Sequence, residues 1–261
     1  MVFATVHEAL GAARVDDQNW HFDLGGHLNS VWGGVHGGAV AAATLVAARG
    51  AAESRSPMSL DIRLLRYVLA GPAQAASRVV HRGRTLTTVQ VELTDEGART
   101  TAVALATFVE RSALATDIAR EPEARSLAGD VNRSDDEHLT KSGIVQLLDV
   151  DETYVPGGHG WDATPITVPW EVRLDTGPEA VCMAADLVQG GAAYRAVEGH
   201  GLATPNVDLS LRFTGADPDE TLVGYAQALG WGAGALAVQT VTWSGKRALG
   251  HSLSSCVLMR G

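Results

Sequence analysis

Two stretches of this chain are small, apolar and helix-favouring, with almost no polar face. The first, AVAAATLVAARGAA, starts at Ala39; the second, AVCMAADLVQGGAAYRAV, starts at Ala180. A helix that is apolar all round has no side to turn to water, so both are predicted to be buried on every side. The second breaks the pattern of the first by carrying one carboxylate, Asp186. Strand-like runs follow each helix, at residues 58–68, 73–80, 85–94 and 100–110, and at 206–213, 221–229, 235–243 and 248–260. Runs 85–94 and 100–110 alternate apolar with polar and flank Asp95-Glu96-Gly97, which is a hairpin signal. One helix followed by a run of strands predicts an antiparallel sheet wrapped around a buried helix, an α+β arrangement. Residues 1–30 read as a leading strand and loop. Residues 142–176 hold further strand-like text, including Pro169-Trp170-Glu171-Val172-Arg173-Leu174.

The pattern occurs twice. RGRTLTTVQVELTDEGARTTAVALATFV (82–109) aligns with WGAGALAVQTVTWSGKRALGHSLSSCV (231–257) when Val89-Gln90-Val91 is set on Val238-Gln239-Thr240, with one residue fewer in the second hairpin turn. Leu60-Asp61-Ile62 matches Val207-Asp208-Leu209 in the same way, and the matching aspartates point to a role in the fold. A repeat of about 147 residues exceeds the 20–50 residues of a solenoid unit. It predicts two copies of one domain, 1–110 and 142–261, joined by a polar linker at 111–141. Duplicated domains pack as a symmetric dimer does, so the groove between them is the expected place for chemistry.

The net charge of -10 argues against nucleic acid as a partner, because phosphate binding needs a basic face. Arg55, Arg63, Arg66, Arg82 and Arg84 are concentrated in the first copy and read either as a solvated face or as a local phosphate site. The N-terminal residues lack a basic segment followed by an apolar core, and no apolar run approaches the roughly 18 residues of a membrane span. A cytoplasmic protein is therefore expected, with Cys182 and Cys256 buried and reduced in their apolar surroundings. Two cysteines without a CxxC motif form no structural zinc site. GxSxG, P-loop and HExxH motifs are absent. Gly230-Trp231-Gly232-Ala233-Gly234 lacks a strand-to-helix context and reads as a strand bend or bulge.

With these features the chain resembles the double-hotdog acyl-CoA thioesterases, and most closely the acyl-CoA thioesterase II type. The resemblance rests on Trp32-Gly33-Gly34-Val35-His36-Gly37-Gly38, Leu65-Arg66-Tyr67, Ala185-Asp186-Leu187, Val207 to Phe213 and the closing strand. It implies a tandem hotdog fold, hydrolysis of an acyl-CoA or acyl-carrier thioester by water, and no cofactor or metal. It also implies a polar trio around that water, an Asp, a Thr and a Gln. By position these fall on Asp186, Asn206 and Ser254, or Ser255 if the register slips by one. The serine is shorter than glutamine and has no amide, so the alternative is an acyl- or CoA-binding protein without catalysis. A hydratase needs an Asp/His pair that the second helix lacks.

The residues themselves carry the same chemistry. Thioester hydrolysis needs a base for water and donors for an oxyanion. Asp186 is the candidate base, because an ionised carboxylate in an apolar helix is costly unless it is used or paired; the plainer reading is a solvent-facing or capping residue. Gly37 and Gly38 either offer backbone N–H groups to a carbonyl or allow tight helix packing. His36 precedes them and reads as structural more than catalytic. It is grouped with Gly37, Gly38, Arg82 and Arg84 as substrate-binding. His36-Gly37-Gly38 resembles the HGG of related single-domain hotdog thioesterases, in which a carboxylate follows on the same helix; here that region reads Thr44-Leu45-Val46, so the resemblance implies one working site per chain. Unpaired outer strand edges suggest a homo-oligomer.

Overall fold

The computed structural model describes residues 3–113, 132–133, 142–148, 153–156, 162–167, 177–197, 199–215, 221–244 and 247–260. The first half opens with the short helix α1 (Val6–Ala9) and strands β1 (Ala13–Arg14) and β2 (Asn19–Leu24). Helix α2 (Gly37–Ala52) follows, then β3 (Ser56–Leu64), β4 (Gly71–Arg82), β5 (Leu86–Asp95) and β6 (Thr100–Val109). Next come β7 (Asn132–Arg133), helix α3 (Gly143–Leu147), β8 (Thr153–Pro156) and β9 (Asp162–Thr167). The second half continues with helix α4 (Gly177–Ala196), β10 (Leu202–Ala203), β11 (Asp208–Phe213), β12 (Thr221–Gly232), β13 (Ala235–Ser244), β14 (Arg247–Val257) and β15 (Met259–Arg260).

Thirteen strands form one antiparallel sheet in the order β1-β2-β4-β5-β6-β3-β11-β14-β13-β12-β9-β8-β7. Reading outward from the β3–β11 seam gives the same sequence of strands on both sides, which is the tandem hotdog. Helices α2 and α4 lie on the inner face and pack on each other. Every residue of α2 from Gly38 to Ala48 is buried, as an all-apolar helix requires. Most buried apolar residues of both halves merge into one contiguous core, with a smaller cluster of Tyr225, Val241, Trp243 and Ala248 apart from it.

The pairing register carries the duplication through in detail. Asp61 pairs with Ser210 and Arg63 with Asp208, pairs that exchange under the 147-residue offset. Gln90 faces Leu105 and Gln239 faces Leu253, so β5 maps to β13 at 149 residues and β6 to β14 at 148. The missing residue therefore lies in the second hairpin turn. Both long hairpins carry a bulge at the matching place, between Val79 and His81 and between Ala228 and Gly230. In the second, Gly230 sits at φ +150, a region that favours glycine. The repeated aspartates lock the seam: Asp61 pairs with Arg212 at 3.0 Å, and Asp208 pairs with Arg63 at 3.3 Å while accepting the Ser255 N–H.

Two expectations need adjustment. Residues 143–147, read as strand-like text, form α3, because the Ser142 hydroxyl caps the turn by accepting the Val145 N–H. This helix lies on the first half: Ile144 N–H donates to Asn29 O at 3.0 Å. Within the expected linker, Asn132–Arg133 form a strand against β8. The expected strand at 169–174, and linker residues 114–131 and 134–141, lie outside the described residues.

Candidate active site

The start of α2 meets the middle of α4, and glycine makes the meeting possible. A Cβ on Gly38 would come within 2.7 Å of Cys182 O and Met183 Cα, backbone atoms with nowhere to go. A Cβ on Gly37 would come within 2.9 Å of an Asp186 carboxylate oxygen. Asp186, 5% exposed, is thereby seated against the N-terminus of α2. Its Oδ2 accepts the Gly38 N–H at 2.7 Å and lies 3.2 Å from His36 Nε2. Its Oδ1 accepts Asn206 Nδ2 at 2.6 Å. The positive end of the helix dipole and three donors offset the cost of burying the charge.

His36 is buried with it. Burial pushes the imidazole below the usual histidine range, and the Asp186 charge offsets this only in part. A neutral ring matches the geometry: Nδ1 accepts the Gly38 N–H at 3.2 Å, which leaves Nε2 to carry the proton and donate it to Asp186. The lowered value has a stability consequence. Below pH 6.5 the unfolded chain takes up a proton on this histidine before the folded chain does, so folding weakens as pH falls. Urea unfolding at pH 8 and pH 5.5 is expected to show a larger loss of midpoint for wild type than for His36→Gln; equal losses would remove His36 as the cause.

A cavity of about 650 Å³ opens beside this cluster, lined from both halves and from α3. His36, Gly37, Asp186 and Asn206 line it, so these sequence-predicted residues are brought together. The Gly37 N–H has no hydrogen-bond partner among the described residues. The Gly38 N–H differs from expectation: it faces the carboxylate, not the cavity, because an anion outcompetes a neutral carbonyl for a helix N-terminus.

Ser254 does not line the cavity. The alternation along β14 turns Ser252, Ser254 and Cys256 under α4, where Ser254 is fully buried and its hydroxyl has no partner among the described residues. Ser255 faces the other way and gives its N–H to Asp208. Arg82 and Arg84 are also elsewhere. They sit at the β4–β5 turn, with Arg82 tied to Glu53 and to Ala51 O, roughly 21 Å along α2 from Gly37. Cations there complement the negative end of α2.

The cavity also has a lining that the sequence reading had not assigned to it. Gln189, one turn beyond Asp186, is buried on its wall and donates its amide to Cys256 Sγ. Spacing of i, i+3 from Asp186 is the signal that could have found it. Trp32, Arg66, Tyr67 and Tyr194 line it as well, and the Tyr67 hydroxyl bonds Trp32 O. Both cysteines are buried with thiols pushed up, Cys256 to about 12, so neither is a nucleophile. On α2, which carries no carboxylate, the Thr44 hydroxyl donates to Ala41 O. Nearby, Arg49 on α2 and the fully buried Glu179 on α4 form an ion pair at 2.6 Å.

Comparison with known proteins agrees with this architecture. Residues 28–109 match the family model of the acyl-CoA thioesterase N-terminal domain. The fold is similar over 98% of this chain to acyl-CoA thioesterase II TesB2 from Mycobacterium marinum, at 16% identity, 99% coverage of that chain and a TM-score of 0.78. It is similar over 97% of both chains to the tesB protein of Mycobacterium avium subs paratuberculosis, at 15% identity and a TM-score of 0.75. A protein of Alicyclobacillus acidocaldarius with a hot dog fold matches over 98% of both chains, at 16% identity and a TM-score of 0.75. At such identities the solved structures speak for the fold alone. No curated protein matches the sequence.

Proposed function

We propose that this double hotdog, whose first half carries an acyl-CoA thioesterase domain, hydrolyses acyl-CoA or acyl-carrier thioesters in the cavity between its two central helices. The observation that carries the reading is the buried Asp186 carboxylate, held by Gly38, His36 and Asn206 on the wall of an apolar cavity.

The chemistry follows from the lone pairs. Oδ2 is engaged by two donors and Oδ1 by one, so Oδ1 keeps a lone pair for a water. Asp186 takes a proton from that water as its oxygen attacks the thioester carbonyl carbon. The carbonyl electron pair moves onto oxygen, where the Gly37 N–H is the free donor at the helix N-terminus. The Gly38 N–H adds nothing here, since it is engaged before and after the attack and only differential contacts speed a reaction. Collapse of the intermediate breaks the C–S bond, and Asp186 returns its proton to the departing thiolate. Neutral His36 and Asn206 position the carboxylate. Gln189 takes the place on α4 of the glutamine that the resemblance put on the last strand.

Thiol release from a panel of acyl-CoAs, read with a chromogenic reagent, tests the reading. Turnover by wild type that scales with protein concentration is expected; no release from any acyl-CoA, nor from acyl-carrier thioesters of the same chain lengths, would sink it. Acyl-CoA binding without hydrolysis is the second reading, favoured by the absence of Ser254 from the cavity. It predicts saturable binding with no release.

A further inference from the structure

Glycine is among the poorest helix formers, so a glycine inside a helix calls for a reason. Gly37, Gly38 and Gly50 on α2 have one: a Cβ on any of them would come within 3 Å of a neighbouring atom. Gly190, in the interior of α4, has none among the described residues. A Cβ there would meet nothing within 4 Å, and its φ is not positive. The space it would fill is the cavity. Asp186, Gly190 and Tyr194 follow one another at i, i+4 and i+8, so they form one stripe along the cavity wall, from the carboxylate to an aromatic ring. Among the described residues, one Lys or Arg side chain lines the cavity, Arg66, next in the chain to Tyr67, exposed and without an ion pair.

We propose that a CoA thioester lies across α4 with its acyl chain over the bare backbone of Gly190 toward Tyr194 and its phosphates at Arg66. This orientation rests on the thioester-binding reading above. The missing side chain lets an apolar chain lie directly on the helix, and a Cβ or larger group would occupy the same volume as the first methylenes beyond the carbonyl. The opposite orientation would set a highly charged nucleotide against the Tyr194 ring and leave the Arg66 guanidinium facing hydrocarbon.

Calorimetric binding of 2-oxoalkyl-CoA thioethers, which keep a carbonyl but have no scissile bond, tests it over chain lengths of two to twelve carbons. In wild type, affinity is expected to rise with chain length. Gly190→Leu is expected to weaken the longer analogues by about tenfold, equivalent to leaving two methylenes in water, while the shortest binds within about twofold. Gly190→Ala is expected to raise Tm by about 2–4 °C, which shows that the glycine serves the ligand and not the fold. Arg66→Ala is expected to weaken every chain length by one common factor of about five to ten, and to reduce the salt dependence of binding. Unchanged binding in Gly190→Leu, equal loss at all lengths, or a chain-length-dependent loss in Arg66→Ala would overturn the orientation. Wild type that binds the analogues but releases no thiol from acyl-CoAs removes hydrolysis and leaves this orientation standing. Thiol release without analogue binding does the reverse.

Discussion

Asp186→Asn is expected to lower kcat for thiol release by about 10²–10⁴-fold, the usual contribution of a positioned base, with little change in KM. Asparagine keeps the size of the side chain and one carbonyl oxygen for the Gly38 N–H. It loses the charge that the helix N-terminus stabilises and the basic oxygen that would take a proton from water. A stability loss of about 1–3 kcal/mol accompanies this, because the amide nitrogen turns a donor toward Asn206, which already donates. Circular dichroism is expected to show helix content like that of wild type. A folded Asp186→Asn protein that turns over acyl-CoA at the wild-type rate would place the base elsewhere and leave Asp186 as an inter-helix cap.

The Arg49→Met variant is expected to lose about 3–5 kcal/mol of stability, because it strands a carboxylate in the core. Glu179 is fully buried, its Oε1 accepts from Arg49 at 2.6 Å, and its Oε2 has no partner among the described residues. For a chain of this size each kcal/mol lowers Tm by about 2–4 °C. Glu179→Leu combined with Arg49→Met is expected to recover most of the loss, since a well-packed apolar pair replaces a buried ion pair at little cost. Denaturant midpoints of the two single variants and the double variant check this. An Arg49→Met loss below about 1 kcal/mol would show that water or rearrangement relieves the stranded charge. The pair also marks the break in symmetry. Helix α4 brings a carboxylate to the cavity, whereas α2 carries none and gives Arg49 to the ion pair with Glu179.

Asp186 was legible because a charge in an all-apolar helix is conspicuous in one dimension. Asn206 was legible only through the resemblance, since a polar residue at a strand end has many uses. Ser254 does not line the cavity for a reason of period: strand residues alternate faces, and a position on a strand does not say which face meets the cavity. On β14 the even positions face α4 and the core, so a hydroxyl at 254 lies under the helix. Gln189 went unnoticed because it reads as one more residue of a buried helix until the cavity is seen beside it. Arg82 and Arg84 drew attention as clustered charge, yet their hairpin turn sits at the far end of α2 from the carboxylate.

What the amino-acid sequence determined by itself is what local periodicity and repetition encode. These are two buried helices, the antiparallel hairpins, the 147-residue duplication with its shortened second turn, and the seam aspartates that repeat with it. Each follows from spacing along one strand or helix, or from comparing the chain with itself. What only the tertiary structure decided is what depends on two segments distant in sequence coming close. The Gly38 N–H is turned to Asp186 across 148 residues, His36 becomes the partner of that carboxylate, α3 crosses to the first half, and the cavity selects Gln189, Gly190 and Arg66 from their neighbours. These depend on the helix crossing that Gly37 and Gly38 permit, and a crossing leaves no period in the sequence.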